Sequence, residues 1–307
     1  MNKKERLIRD IRSRWQLYLL LLIPVGYIIL FKYAPMGGIV IAFKDYDFSK
    51  GIWGSEWVGW YHFEKFLNNY KFKQTLTNTL TISLYHLLVA FPMPILFALL
   101  INAFPGKKYK KVIQTTTYIP HFISTVVMVG IVFQIVNART GMYGNLYRML
   151  TGEMAPDILT SGPAFRHLYV WSGIWQNTGY SAIIYIAALA GVDSSLHEAA
   201  RIDGASRVQC IRYIDFPSIL PTVSIMFIMA VGNLLDLGFE KVLLMQNDLN
   251  LNYSEIISTY TYKVGLASGI TDFSRSTAIS LFNNVVNFIL LIIANKTSKK
   301  LSGSGIF

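Results

Sequence analysis

The sequence predicts an all-α integral membrane protein with six transmembrane helices, and three observations carry that expectation. Hydrophobic residues make up 53% of the 307 and charged residues only 15%, against a soluble norm of about 25% charged, so a globule in water would lack polar surface. Apolar windows of the about 17–25 residues that a bilayer crossing requires recur at 16–34, 77–103, 112–138, 167–191, 218–239 and 276–295. Lysine and arginine gather in alternate connections, the pattern expected of cytosolic loops.

The head carries Lys3, Lys4, Arg6, Arg9, Arg12 and Arg14 ahead of the first apolar window. That window is long and lacks a small-residue cleavage site, so it reads as an uncleaved anchor rather than a signal peptide. The connection from 32 to 74 is the longest, and it places Trp53, Trp57 and Trp60 among Gly51, Gly54 and Gly59. It is expected on the outer face, where such tryptophans more often pack a small subdomain than stack on sugar rings. Pro92 and Pro94 fall inside the second window and are expected to kink it. Lys107, Lys108, Lys110 and Lys111 mark the next turn as cytosolic. The connections near 139–166 and 240–275 then fall outside, as a landing surface for an external partner. Arg201, Arg207 and Arg212 lie in the fourth connection and Lys296, Lys299 and Lys300 in the tail, which puts both termini and the 193–217 loop in the cytosol.

Composition and motifs narrow the function classes. The net charge of +11 sits beside the spans and is accounted for by orientation and anionic lipid. No aromatic-basic groove motif accompanies it, so no nucleic-acid partner is expected. Cys210 stands alone and forms no internal disulfide. There is no GxxxxGK[S/T] phosphate loop, no HExxH pair, no GxSxG elbow and no cysteine cluster, and the histidines at 62, 86, 121, 167 and 197 lack metal-ligand spacing. The chain is therefore expected not to be an enzyme, and to bind no metal or cofactor of its own.

The polar stretch 193–221, DSSLHEAARIDGASRVQCIRYIDFPSILP, lies between two apolar windows and reads as two short helices joined at an elbow. Ser195 and Glu198 have the spacing of a capping box, Leu196, Ala199 and Ala200 share a face, and Gly204 suits a left-handed stop. Ser206 and Gln209 give a second box, Val208 and Ile211 the next apolar face, and Pro217 and Pro221 are expected to break the chain before the following span.

Those residues also carry a family resemblance. Glu198-Ala199-Ala200, two spacers, Asp203-Gly204-Ala205, then Ile214 and Pro217 resemble the EAA loop of binding-protein-dependent ABC importers, the element that docks into the ATPase subunit. The stretches 31–45 (FKYAPMGGIVIAFKD), 51–66 and 118–124 (YIPHFIS) resemble carbohydrate-uptake permeases that serve complex oligosaccharides in Gram-positive bacteria. The resemblance covers nearly the whole chain. It departs at Cys210 and Arg212, where bulkier apolar or aromatic residues are usual, and at Asp215-Phe216 in place of Thr-Leu.

The resemblance implies a type I ABC importer permease fold in a bacterial plasma membrane. Residues 1–75 would hold the cytosolic head, the first helix and the long extracellular loop; 76–295 a permease core of five helices with the coupling loop 193–217; and 296–307 a cytosolic tail. It implies a second, homologous permease subunit, two cytosolic ATPases that carry ATP and Mg, an extracellular solute-binding lipoprotein and an oligosaccharide cargo. Glu198 would face a basic site on the ATPase, with Ala199, Ala200 and Gly204 kept small for close approach.

Polar residues inside spans are costly and therefore informative. Asn233 and Asp236 fall in the fifth window, Asn283, Asn284 and Asn287 in the sixth, and Trp171, Trp175, Gln176 and Asn177 in the fourth. Asn283 and Asn287 share a helical face, as do Trp171 and Trp175. Amides and indoles suit a sugar path, and both also serve as interhelical or interfacial glue; both readings stay open. The nearest alternative keeps the architecture and changes the cargo to a peptide, an amino acid or phosphate, which a cavity rich in fixed charge would favour. Another is a membrane anchor or sensor that does not transport.

Overall fold

The computed structural model describes residues 13–267, 269, 271–302, 305 and 306. The basic head from Lys3 to Arg12 lies outside them. Among the described residues, four helices are long and apolar enough to cross a membrane, and two bent pairs raise the number to six.

The first span, Trp15–Phe43, exceeds its window and buries none of its most apolar stretch. Leu20 and Ile23 are 69% and 76% exposed, as expected of a helix apolar all round whose solvent is lipid. Its α-helical part, Trp15–Ile28, passes through a π turn, Ile29–Tyr33, into a 3-10 segment, Ala34–Phe43. The outer connection then adds a small β ribbon to the otherwise helical fold, Lys44–Asp45 antiparallel to Glu56–Trp57. Trp57 stacks on Phe43 with ring centroids 5.7 Å apart and Trp60 meets it edge-on at 5.5 Å, whereas Trp53 is 86% exposed. Two of the three tryptophans thus pack a subdomain.

The second span, Tyr70–Ala103, is one helix, and at Phe91, just before Pro92, its backbone stays helical at φ −64° and ψ −43°. It also fixes the two ends of the bundle. At its start Lys71 pairs with the buried Glu255 at 2.6 Å, and near its finish Asn102 Nδ2 donates to Asp215 Oδ1 at 3.2 Å. The ribbon and the 250–263 segment therefore share one end, and the 193–217 loop shares the other with the Lys107 turn.

Two windows and one expected break need correcting. The third is no straight span: Lys107–Phe122 and Thr125–Val136 meet at 103°. Pro120 sits in a 3-10 turn, Ile119–Phe122, and Ser124 starts a new helix by accepting from the Val127 N–H. The fifth helix ends at Gly232, so 233–238 is not helical. Irregular backbone at membrane depth is tolerated where protein or a watery cavity satisfies it, and Asn287 Oδ1 accepts from the Leu235 N–H at 3.0 Å. Finally, Pro217 and Pro221 do not break the chain, since Arg207–Gly232 runs as one helix. A π turn, Ile211–Asp215, precedes Pro217, and its wider pitch accommodates a residue that donates no N–H.

The remaining spans pack through small residues, the usual device where lipid supplies no hydrophobic drive between helices. The fourth, Gly162–Ala190, turns by 73° into Ser194–Ile202, and a Cβ at Gly179 would overlap the Thr117 carbonyl. The sixth, Phe273–Ser302, presses Leu291 onto Gly232 of the fifth. Gly232→Leu is accordingly expected to lower the melting temperature of the detergent-solubilised protein, because overpacking a tight contact costs about 1–3 kcal/mol; an unchanged melting curve would contradict this packing.

Candidate functional site

The elbow is built from locally encoded stops. Asp193, not Ser195, caps the helix Ser194–Ile202, its Oδ1 accepting from the Ser195 N–H at 2.9 Å. That hydrogen bond holds the Asp193 carboxyl below its usual range. Ser195 lies inside the helix, so the expected box with Glu198 does not form. Glu198 stands exposed instead. The helix ends in a Schellman turn: Gly204 takes φ +76°, the Ala205 N–H donates to Ala200 O at 2.8 Å and the Gly204 N–H to Arg201 O at 3.1 Å. The Ser206–Gln209 box forms, with bonds of 2.7 and 3.3 Å.

A Cβ at Gly204 would meet no atom within 4 Å, so Gly204→Ala has only the left-handed backbone to oppose it. It is expected to loosen the elbow by about 1 kcal/mol, read as faster hydrogen exchange of the Ala205 amide. An unchanged rate would show that the turn tolerates a side chain.

One face of the elbow is free and apolar. Ile202, one turn on from Glu198, is 87% exposed, and Val208 and Tyr213 of the second elbow helix are 72% and 68% exposed. Ala199, Asp203, Gly204 and Pro217 are exposed too, while Ala200, Ala205 and Ile214 are half-buried. The opposite face is anchored. Asp215, 2% exposed, is shared by His197 Nε2 at 3.0 Å and Asn102 Nδ2 at 3.2 Å, and Lys110 Nζ donates to Asn102 O at 2.7 Å. The position that departs from the family pattern thus ties both elbow helices to the end of the second span. Sequence reasoning missed His197 and Asn102, because neither has a local partner.

Two cavities inside the bundle, the first lined mostly by apolar and the second mostly by polar surface, form a candidate path. One, of ≈ 480 Å³, is bordered by His86, Phe91, Tyr169, Met229, Asn233 and Asp236; the other, of ≈ 540 Å³, by His86, His121, Tyr169, Gln176, Asn177 and Lys241. His86, Tyr169 and Gly238 border both, so the two adjoin. Asn233, Leu234, Asp236, Leu237 and Gly238 of the irregular segment border the first, and Ile123 and Ser124 of the corner border the second. Gln176 Nε2 donates to Ile123 O at 3.1 Å; His121 Nδ1 lies 3.0 Å from Asn177 Oδ1 and its ring stacks on Tyr180 at 3.8 Å.

The structure divides the polar residues singled out in the spans. Asn233, Asp236, Gln176 and Asn177 border the path. Trp171 and Trp175 instead border an apolar groove of ≈ 360 Å³ against Val132 and Ile135, and Trp171 Nε1 donates to Tyr85 Oη at 3.0 Å. Asn287 serves the Leu235 backbone, Asn283 is half-buried, and Asn284 is exposed. Sequence reasoning missed His86, Tyr169 and Lys241. Lys241 alone carried a signal, a cation beside Glu240 in the short and mostly apolar run that follows the fifth window.

Residues 90–302 match the family model described as the binding-protein-dependent transport system inner membrane component. Protein LplB of Bacillus subtilis (strain 168) is 43% identical over 96% of this chain and 92% of its own. The polygalacturonan/rhamnogalacturonan transport system permease protein YteP of the same organism is 41% identical over 100% and 94%. A solved bacterial alginate ABC transporter, in complex with alginate pentasaccharide-bound periplasmic protein, superposes a chain with TM-score 0.88 and 35% identity, covering 98% of this chain and 100% of that one.

Proposed function

The chain belongs to the binding-protein-dependent transport system inner membrane components, and on that footing we propose that it imports an oligosaccharide as one permease subunit of an ABC importer. The observation that carries this reading is the pairing of an elbow with exposed apolar residues and two adjoining cavities in one bundle. The saccharide cargoes named for YteP and for the alginate transporter support the cargo class. A path of amides, aromatics and imidazoles suits hydroxyl-rich solutes, which need many hydrogen-bond partners and flat stacking faces.

In this reading the termini and the elbow face the cytosol, as the lysine and arginine distribution requires. A homologous permease completes the pathway, two ATPases carrying ATP and Mg bind below, and a lipoprotein delivers the cargo from outside. ATP closure draws the elbows together. Glu198 docks onto a basic site, Ala199, Ala200 and Gly204 allow close approach, and the Asp215 tie passes the movement to the second span. The bundle then rocks, and the path opens alternately to each side. This subunit performs no catalysis itself.

Purification of the tagged chain from native membranes in mild detergent tests the assembly. The expected result is recovery of an ATPase, a second permease with an EAA loop and a carbohydrate-binding lipoprotein. Absence of any ATPase, under conditions that keep a known transporter intact, would turn the reading toward an anchor or sensor.

A further inference from the structure

Lys241 is a cation held inside the path. Its Nζ donates to Tyr169 O at 2.9 Å and lies 4.8 Å from the centre of the Tyr169 ring. Among the described residues it has no carboxylate within ion-pair distance. The contrast with the outer end is direct, since Lys71 and Lys263 both pair with Glu255, at 2.6 and 3.1 Å. A cation enclosed among membrane spans is expensive and is ordinarily paired or functional.

The surroundings of Lys241 are arranged for an anion. The cavity it borders also presents His86, His121, Gln176 and Asn177, and neither aspartate nor glutamate is among its bordering residues. Asp236 belongs to the adjoining chamber. Gly173 carries no side chain between the two: a Cβ there would lie 3.3 Å from Lys241 Nζ and 4.0 Å from His86 Nε2, so both nitrogens flank this glycine at the cavity they border. A carboxylate in that cavity, facing both side chains, would accept from the ammonium's remaining N–H groups and from the imidazole N–H, a charge-assisted arrangement stronger than neutral hydrogen bonds.

We propose that Lys241, with His86 beside it, reads a carboxylate on the cargo, and that the cargo is therefore an acidic, uronate-bearing oligosaccharide. This rests on the importer reading above and specifies its substrate. Tyr169 positions the lysine through its carbonyl and ring, and Gln176 and Asn177 serve the hydroxyls of the same sugar.

The test uses the complete complex in proteoliposomes with its binding protein, and compares ATP-dependent uptake of an oligogalacturonate with that of its neutral methyl ester. In Lys241→Met, oligogalacturonate uptake is expected to fall on the order of tenfold, with the ATPase still co-purifying, while Lys241→Arg retains most of it. Unchanged uptake in Lys241→Met would overturn the proposal. So would equal losses in both variants, which would make Lys241 a structural residue. Wild-type uptake of the methyl ester alone would refute the acidic cargo and leave the importer reading intact. Wild-type uptake of neither, with no ATPase in the preparation, would remove the importer reading and this proposal with it.

Discussion

Glu198→Arg is expected to abolish ATP-dependent uptake while the protein still folds and inserts. The carboxylate is exposed and makes no ion pair or side-chain hydrogen bond among the described residues, and Asp193 supplies the cap that Glu198 was expected to share. Its removal therefore takes nothing from the isolated chain. At a desolvated interface with a basic ATPase site, reversing the charge costs about 2–5 kcal/mol, a loss of roughly thirtyfold to several thousandfold in docking. Glu198→Gln, which retains a hydrogen-bonding group, should fall between the two. Full uptake by Glu198→Arg would exclude the elbow from energy coupling.

Asp215→Ala should produce the second large effect, by a different route. Asp215 is buried and accepts from both His197 and Asn102, so truncation strands two polar groups and costs about 1–3 kcal/mol of stability. It also unties the elbow from the second span. ATP hydrolysis should then continue while uptake declines, the signature of a slipping lever. A double-mutant cycle with His197→Ala separates the effects: contacting residues deviate from additivity by about 0.5–3 kcal/mol. Additive losses in melting temperature would show that the pair does not act as a unit.

The elbow was legible because its stops are local. Gly204 and the Ser206–Gln209 pair each act over a few residues, and each forms as its sequence pattern indicates. The choice between Asp193 and Ser195 was not legible, since both are good caps two positions apart and only the chain's exit from the fourth span selects the first. Hydropathy windows located the spans but averaged through the corner at Pro120–Ser124 and through the irregular 233–238 segment. Those two interruptions open the path. The meeting of His86, Tyr169 and Lys241 was beyond reach because it depends on the rotation of several helices about their axes, and a helix apolar on every side, such as Trp15–Ile28, carries no signal of its rotation.

The central claim is that the ATPase state, received at the elbow, decides which side of the membrane reaches the path. Cys210 is the chain's sole cysteine, so Cys210→Ser gives a clean background for a reporter at Asn233, which borders the path. The decisive measurement is labelling of Asn233→Cys by a membrane-impermeant thiol reagent from each side, in the complete complex, without nucleotide and with ATP trapped by vanadate. Labelling from the cytosolic side without nucleotide and from the outer side in the trapped state is the expected result. Labelling from one side in both states would contradict alternating access driven through the elbow.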